Sequence, residues 1–419
     1  MKIKTVITTI LASAVMFTFS GPVFAGEVDI LVDKLVEKNI LTKSEAEAIV
    51  KEMKKEGEKE KQEIKKVAAD AVKDKAGISG WVEKTKIKGD VRVRYQKQDT
   101  SNDGSVSRDR GRMRVRAGIE TKVNDEWSAG IGMASGSDDP RSNNQTFDDV
   151  FDTKGWNLDY AYATYSPNEA VSITAGKMNN PFYTTKDLIW DSDINPEGVA
   201  LEFNKKLSGN VKLFGTAAYY LVEEYGSSKD DPSLLAFQPG IDWKISDKIN
   251  LKFAGTYYKF NNFEGNDLSV HSAGTNSTDE SGNLIYDYDS IVLDAEIGFI
   301  LDKIIPYIGL FGEYVRSDAD MDDTGWLAGI KFGDKKVSEF GDWQFKYNYR
   351  KLEKEAWLDF WPDSDFYDGE TGVKGSEFEF VMGLSKHVTF GLDYYRSKAI
   401  DRDFGENERL LQADLIVKF

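Results

Sequence analysis

Along most of this chain, apolar and polar side chains alternate one by one. In Arg110–Val123 (RGRMRVRAGIETKV), Met113, Val115, Ala117, Ile119 and Val123 share one face, and Arg112, Arg114, Arg116, Glu120 and Lys122 share the other. A period of two is the signature of a strand. The same texture begins near Lys86 and runs to Phe419 in about 16 segments, each close to the span of a tilted transmembrane strand. The connections between segments alternate between short and long. Asn124-Asp125, Ser246-Asp247 and Ser385–His387 are short, whereas Gly136–Lys154, Asn179–Glu197, Asn261–Asp289 and Glu353–Gly375 are long. Ser317–Asp323 is the modest exception among the long ones. Short turns at one end and long loops at the other are the asymmetry of an outer-membrane barrel, with the short turns periplasmic. The pattern predicts an all-β transmembrane barrel of about 16 antiparallel strands over residues 81–419.

The first 80 residues read differently. Lys2 and Lys4 precede a mostly apolar Val6–Phe19, and Val23-Phe24-Ala25 offers small residues for cleavage after Ala25. Residues 1–25 are therefore read as a signal peptide, and the mature chain as exported. In Glu27–Met53, Val28, Leu31, Val32 and Leu35 recur at helical spacing, and Thr42-Lys43-Ser44-Glu45 has the form of a capping box. Highly charged Lys54–Lys75 follows. Residues 26–80 are expected to form a periplasmic helical, coiled-coil-like segment, a solvated tether or a subunit joint that could contact the cell wall.

Composition narrows the function. A net charge of -17 argues against a nucleic-acid partner. With no cysteine and two histidines there is no thiolate chemistry and no multi-histidine zinc site. His271 lies in a long loop and His387 in a short turn, neither beside a nucleophile on a strand, so no enzyme is expected. Asp191-Ser192-Asp193-Ile194-Asn195 begins like a calcium loop, but Pro196 replaces the glycine and the late glutamate is missing. Neither a metal nor a cofactor is expected. After the first 25 residues no apolar run reaches the ~20 residues of a membrane helix. A membrane crossing must therefore be made by a closed barrel.

The final strand places Leu411, Ala413, Leu415, Val417 and Phe419 on one face and Leu410, Gln412, Asp414 and Lys418 on the other, with Ile416 the exception. This ending resembles the signature read by the outer-membrane insertion machinery. Together with the arginine strand and its continuation Thr121-Lys122-Val123-Asn124-Asp125-Glu126-Trp127, two further segments carry a family likeness. They are Ala175–Tyr183 (AGKMNNPFY) and Leu188–Leu201 (LIWDSDINPEGVAL). On these residues the chain resembles the putative-porin family of Gram-negative outer membranes. The resemblance implies a passive channel and a homo-oligomer, expected to be a trimer, seated among outer-membrane lipid and lipopolysaccharide.

If the apolar face meets lipid, the opposite face lines a lumen. Arg92, Arg94, Arg112, Arg114 and Arg116 are the expected basic wall. Asp294, Glu296 and Glu313 are the expected acidic wall across from it. The loop Asn179–Glu197 carries too many hydrophobes for a free loop. It is expected either to fold inward, so that Asp187, Asp191, Asp193 and Glu197 face the arginines, or to pack over the mouth or on a neighbouring subunit. Trp127, Tyr165 and Trp243 are assigned to one interfacial aromatic belt, and Tyr95, Trp156, Tyr220, Tyr257 and Tyr258 to the other. The functional expectation is a water-filled channel for ions and small hydrophilic solutes, with selectivity set by the two charged walls. The alternative is a barrel that anchors the surface to the cell wall without significant conductance.

Overall fold

The structure is a computed structural model that describes residues 82–100, 107–226, 230–301, 304–400 and 407–419, and the isolated positions 38, 42, 51 and 62. Apart from those four positions, the expected signal peptide and helical segment lie outside the described residues.

Strands β1 to β16 are Thr85–Thr100, Arg108–Lys122, Trp127–Ser135, Trp156–Asn168, Val171–Lys177, Glu197–Lys206, Val211–Leu221, Ser233–Ser246, Ile249–Asn261, Ser290–Ile300, Tyr307–Arg316, Thr324–Gly333, Trp343–Leu352, Val373–Ser385, Val388–Ala399 and Asn407–Lys418. A two-residue strand, Gln145–Thr146, adds a small patch beside β2. Each strand pairs antiparallel with its sequence neighbours. β1 pairs with both β2 and β16, so the sheet closes and has no free edge. Closure satisfies backbone groups that lipid could not.

The burial pattern is that of a protein turned inside out. On β1, Ile87, Val91, Val93 and Tyr95 are exposed, while Asp90, Arg92, Arg94 and Gln96 are buried. The outward faces of β10 and β11 repeat this with exposed Ile291, Leu293, Leu310 and Tyr314. An apolar face this extensive, wrapped around a closed barrel, suits a lipid surround.

Parity also corrects two residues of the aromatic belt. Trp127, Trp243, Tyr95, Trp156 and Tyr257 are exposed. Tyr220 and Tyr258 instead point into the barrel and are buried. Tyr257 and Tyr258 are adjacent in a strand, so only one of them can face out.

Two loops fold into the interior. The loop over residues 178–196 turns inward and buries Met178, Phe182, Leu188, Ile189, Trp190 and Ile194. The loop over residues 353–372 meets it with Ala356, Trp357, Leu358, Phe360 and Trp361. Trp190 stacks on Trp361 at 4.4 Å between centroids and meets Trp357 edge-on at 6.0 Å. Phe182 packs on Tyr258 at 5.6 Å. Each large side chain buried this way contributes on the order of 2–3 kcal/mol. Offset and edge-on ring pairs add roughly 0.5–1.5 kcal/mol each. The inward fold of the loop, one of the two arrangements expected, follows from that apolar area.

Candidate functional site in the barrel interior

Pairing of β1 with β2 sets Arg92 opposite Arg114, Arg94 opposite Arg112 and Asp90 opposite Arg116. All five arginines of the expected basic wall therefore project from adjoining inward positions. Three of them are held by carboxylates. Asp414 on β16 grips Arg94 with two bonds, Nε–Oδ1 at 2.7 Å and Nη2–Oδ2 at 2.8 Å. Asp365 of the 353–372 loop reaches the same guanidinium at 2.9 Å. Asp90 bridges Arg114 at 2.9 Å and Arg116 at 2.8 Å. Of the four acidic candidates on the 178–196 loop and its edge, Asp193 faces the ladder. It lies 3.2 Å from Arg116 and 3.7 Å from Arg114.

The other three are placed differently. Asp187 pairs with Lys186 at 3.0 Å and with Arg350 at 2.9 Å, on another wall. Asp191 accepts the backbone N–H groups of Asp193 at 2.9 Å and Ser364 at 2.9 Å, and so ties the two loops together. It lies in a loop outside the spanning strands. Its burial, with the like charge of Asp193 adding, pushes its carboxyl up to about 8. Glu197 is already the first residue of β6, where it is exposed and pairs with Lys177 at 2.9 Å.

The expected acidic wall is also only partly a unit. Asp294 and Glu313 are register partners on β10 and β11, and both are buried. Asp294 accepts the backbone N–H of Thr185 at 2.8 Å, which anchors the 178–196 loop to this wall. Glu296 pairs with Lys331 at 2.8 Å and accepts the Tyr307 hydroxyl at 2.8 Å. The loop thus lies against Asp294, and Glu296 is neutralised by a lysine two strands away.

A second charged centre was not anticipated. Arg350 on β13 binds Asp187, Asp363 at 3.2 Å and Glu377 on β14. Lys186 meets Glu377 at 3.0 Å. This knot fastens both inward loops to the wall. The alternation that singled out β2 also holds on β13, where Gln344, Lys346, Asn348 and Arg350 share one parity. That signal could have found Arg350. Its partners Asp187 and Asp363 come from distant loops.

One irregularity adds an inward acid. The β3–β4 register skips Asp159 between Tyr160, opposite Gly132, and Leu158, opposite Met133. Such a bulge re-aims a side chain. Asp159 accepts the Asn195 side-chain amide at 2.8 Å. It shares with Lys88, Asp90, Arg116 and Asn179 a cavity of about 350 Å³ that is also lined by Met133, Tyr160 and Phe419. A hydrophilic cavity of about 400 Å³ lies against the loop and includes Glu202, Lys212, Asp242 and Lys252.

A closed antiparallel barrel with a lipid-type exterior, a charged interior and inward loops defines a transmembrane β-barrel of porin architecture. The chain belongs to the family described as putative porin, whose model matches residues 99–284 and 277–419. Among solved structures, OprB of Pseudomonas putida is similar with a TM-score of 0.53 and 10% identity, over 81% of this chain and 95% of that one. OmpF of Salmonella typhi, solved with daunomycin, is similar with a TM-score of 0.50 and 10% identity, over 80% of this chain and 97% of that one. At this identity the two structures support the barrel fold. No curated protein sequence matches the chain.

Proposed function

We propose that this protein is a passive porin of a Gram-negative outer membrane, conducting ions and small hydrophilic solutes, with the arginine ladder and Asp193 as its selectivity element. One observation carries the reading. The 178–196 loop crosses the interior and sets a carboxylate 3.2 Å from a ladder of inward guanidiniums. Fixed charges of both signs lining a wet passage sort ions that move along it. The apolar loop cluster packs against strands from β6 to β13, so in this reading the passage runs along β1–β4, and the cavity that includes Glu202, Lys212, Asp242 and Lys252 is a separate polar space on β6–β9. No step of this function requires bond chemistry.

Steady conductance of the purified protein in a planar bilayer tests the reading, and its absence would sink it. Replacing Arg112, Arg114 and Arg116 together by Glu is expected to move the reversal potential in a salt gradient toward cation preference. An unchanged potential would remove the ladder from the conducting path. Residues 1–25 act in this reading as a cleaved leader, and residues 26–80 as a periplasmic extension towards the cell wall. Family membership favours a homo-oligomer, a trimer in this reading, which cross-linking in native membranes would reveal.

A further inference from the structure

The ladder is not uniformly neutralised. Among the described residues, four carboxylates lie within 4.0 Å of its guanidiniums: Asp90, Asp193, Asp365 and Asp414. Arg94, Arg114 and Arg116 take the close contacts with them. Arg92 touches a carboxylate only at 3.7 Å, and that carboxylate, Asp414, already accepts two bonds from Arg94. Arg112 has no carboxylate within 4.0 Å among the described residues.

The partners these two arginines do have are neutral amides. Arg92 Nη2 donates to Asn144 Oδ1 at 2.6 Å, and Arg112 Nη1 donates to Gln96 Oε1 at 3.0 Å. A guanidinium carries five N–H donors in a planar fork. The Nε atoms of both Arg92 and Arg112 are buried without an acceptor, and so is that of Arg110 one step further along β2. Each buried donor left unsatisfied costs about 1–3 kcal/mol. Since Arg92 opposes Arg114, and Arg112 opposes Arg94, Arg92 and Arg112 are diagonal neighbours across the β1–β2 pair. Diagonal side chains of this length can reach a common point.

We propose that Arg92 and Arg112, flanked by Gln96 and Asn144, form a binding site for a small oxyanion, a phosphate or a carboxylate, that occupies the passage. The inference deepens the porin reading and rests on it for the word passage. Two or more anionic oxygens would accept the free N–H groups that Asn144 and Gln96 cannot, through charge-assisted bonds. Asp365 is the built-in competitor: it comes from a loop and binds Arg94 between the two. The channel would then favour solutes bearing an oxyanion over chloride of equal charge, because the fork of a guanidinium matches two oxygens.

Calorimetric titration of the detergent-solubilised full-length protein tests the site without needing conductance. Inorganic phosphate and succinate are the two probes, and they separate a tetrahedral oxyanion from a carboxylate. Saturable binding of either probe is expected, weakened about tenfold, or about 1.4 kcal/mol, in Arg92→Gln and in Arg112→Gln. Arg112→Lys keeps the charge but not the fork and is expected to weaken binding as well. It also serves if the glutamine variants do not fold, as judged by heat-modifiable gel mobility. No saturable heat with either probe, or wild-type affinity in the folded Arg112→Lys and glutamine variants, would overturn the proposal. A protein that binds phosphate through these residues yet conducts nothing would refute the porin reading and leave the site standing.

Discussion

Gly89 and Phe419 exchange backbone hydrogen bonds in both directions, each at 3.0 Å, and so join the last residue of the chain to the first strand. The phenyl ring lies where a side chain on Gly89 would be. A Cβ there would stand 2.4 Å from the ring and 2.5 Å from the Arg116 carbonyl oxygen. The absence of a side chain at this outward position lets the terminal ring dock across the seam that closes the barrel.

Gly89→Val is therefore expected to destabilise the seam by about 2 kcal/mol, the cost of forcing volume into a packed site. Phe419→Ala removes the ring and should partly rescue that variant. Heat-modifiable mobility of the refolded barrels reads both effects. Additive losses in the double variant would show that ring and glycine are independent.

Arg350 is the cation shared by Asp187, Asp363 and Glu377. Arg350→Met leaves these carboxylates buried with only Lys186 nearby, a change that typically costs about 3–5 kcal/mol. Both inward loops should loosen. The expected readout is a larger, noisier single-channel conductance and faster proteolysis within residues 178–196 and 353–372, with the barrel intact.

Asp193→Asn takes the one loop carboxylate away from Arg114 and Arg116 while keeping the shape of the side chain. The reversal potential should move toward anions, opposite in sign to the triple Arg→Glu variant. Glu197→Gln, four residues away and paired with Lys177 instead of the ladder, should move it much less. Equal shifts from both would mean that overall loop charge, not contact with the ladder, sets selectivity.

The junction between the two loops is expected to depend on pH through Asp191. Its carboxyl is raised to about 8 by burial, against about 3.9 in an open chain. A raised carboxyl favours the packed state while it is protonated in both states, at low pH. That advantage declines as pH climbs from about 4 to about 8 and is level above it. Hydrogen exchange of the Asp193 and Ser364 amides, corrected for intrinsic rate, should show protection falling across that window. In Asp191→Asn the fall should vanish.

Trp190 is gripped by Trp361, Trp357 and the hydroxyl of Tyr258, to which its indole N–H donates at 3.3 Å. Trp190→Ala should cost about 3–5 kcal/mol in loop packing. Loss of protection confined to the two loops, with unchanged strand content by circular dichroism, is the expected signature.

The barrel itself was legible because its two determinants are local. Alternation fixes which way each side chain of β1 and β2 points, and loop length fixes which end of a strand it is on. The inward identity of Arg92 and Arg114 follows from parity alone. The fate of Asp187 does not, since it depends on Arg350 being 163 positions away in sequence. Tyr258 was misassigned because an aromatic near a strand end suits either a belt or an inward core, and only its neighbour Tyr257 breaks the tie. Asp159 was hidden because a bulge suspends the parity rule at one residue.

The two-residue repeat of β1 and β2 also separates two kinds of inherited change. Substitutions at Val91, Val93 or Met113 bear on how the protein fits its bilayer. In the proposed channel, substitutions at Arg92, Arg94 or Arg112 would bear instead on which solutes pass. Adjacent positions of one strand would then carry separate duties, one toward the bilayer and one toward the solute, so either can be altered without touching the other.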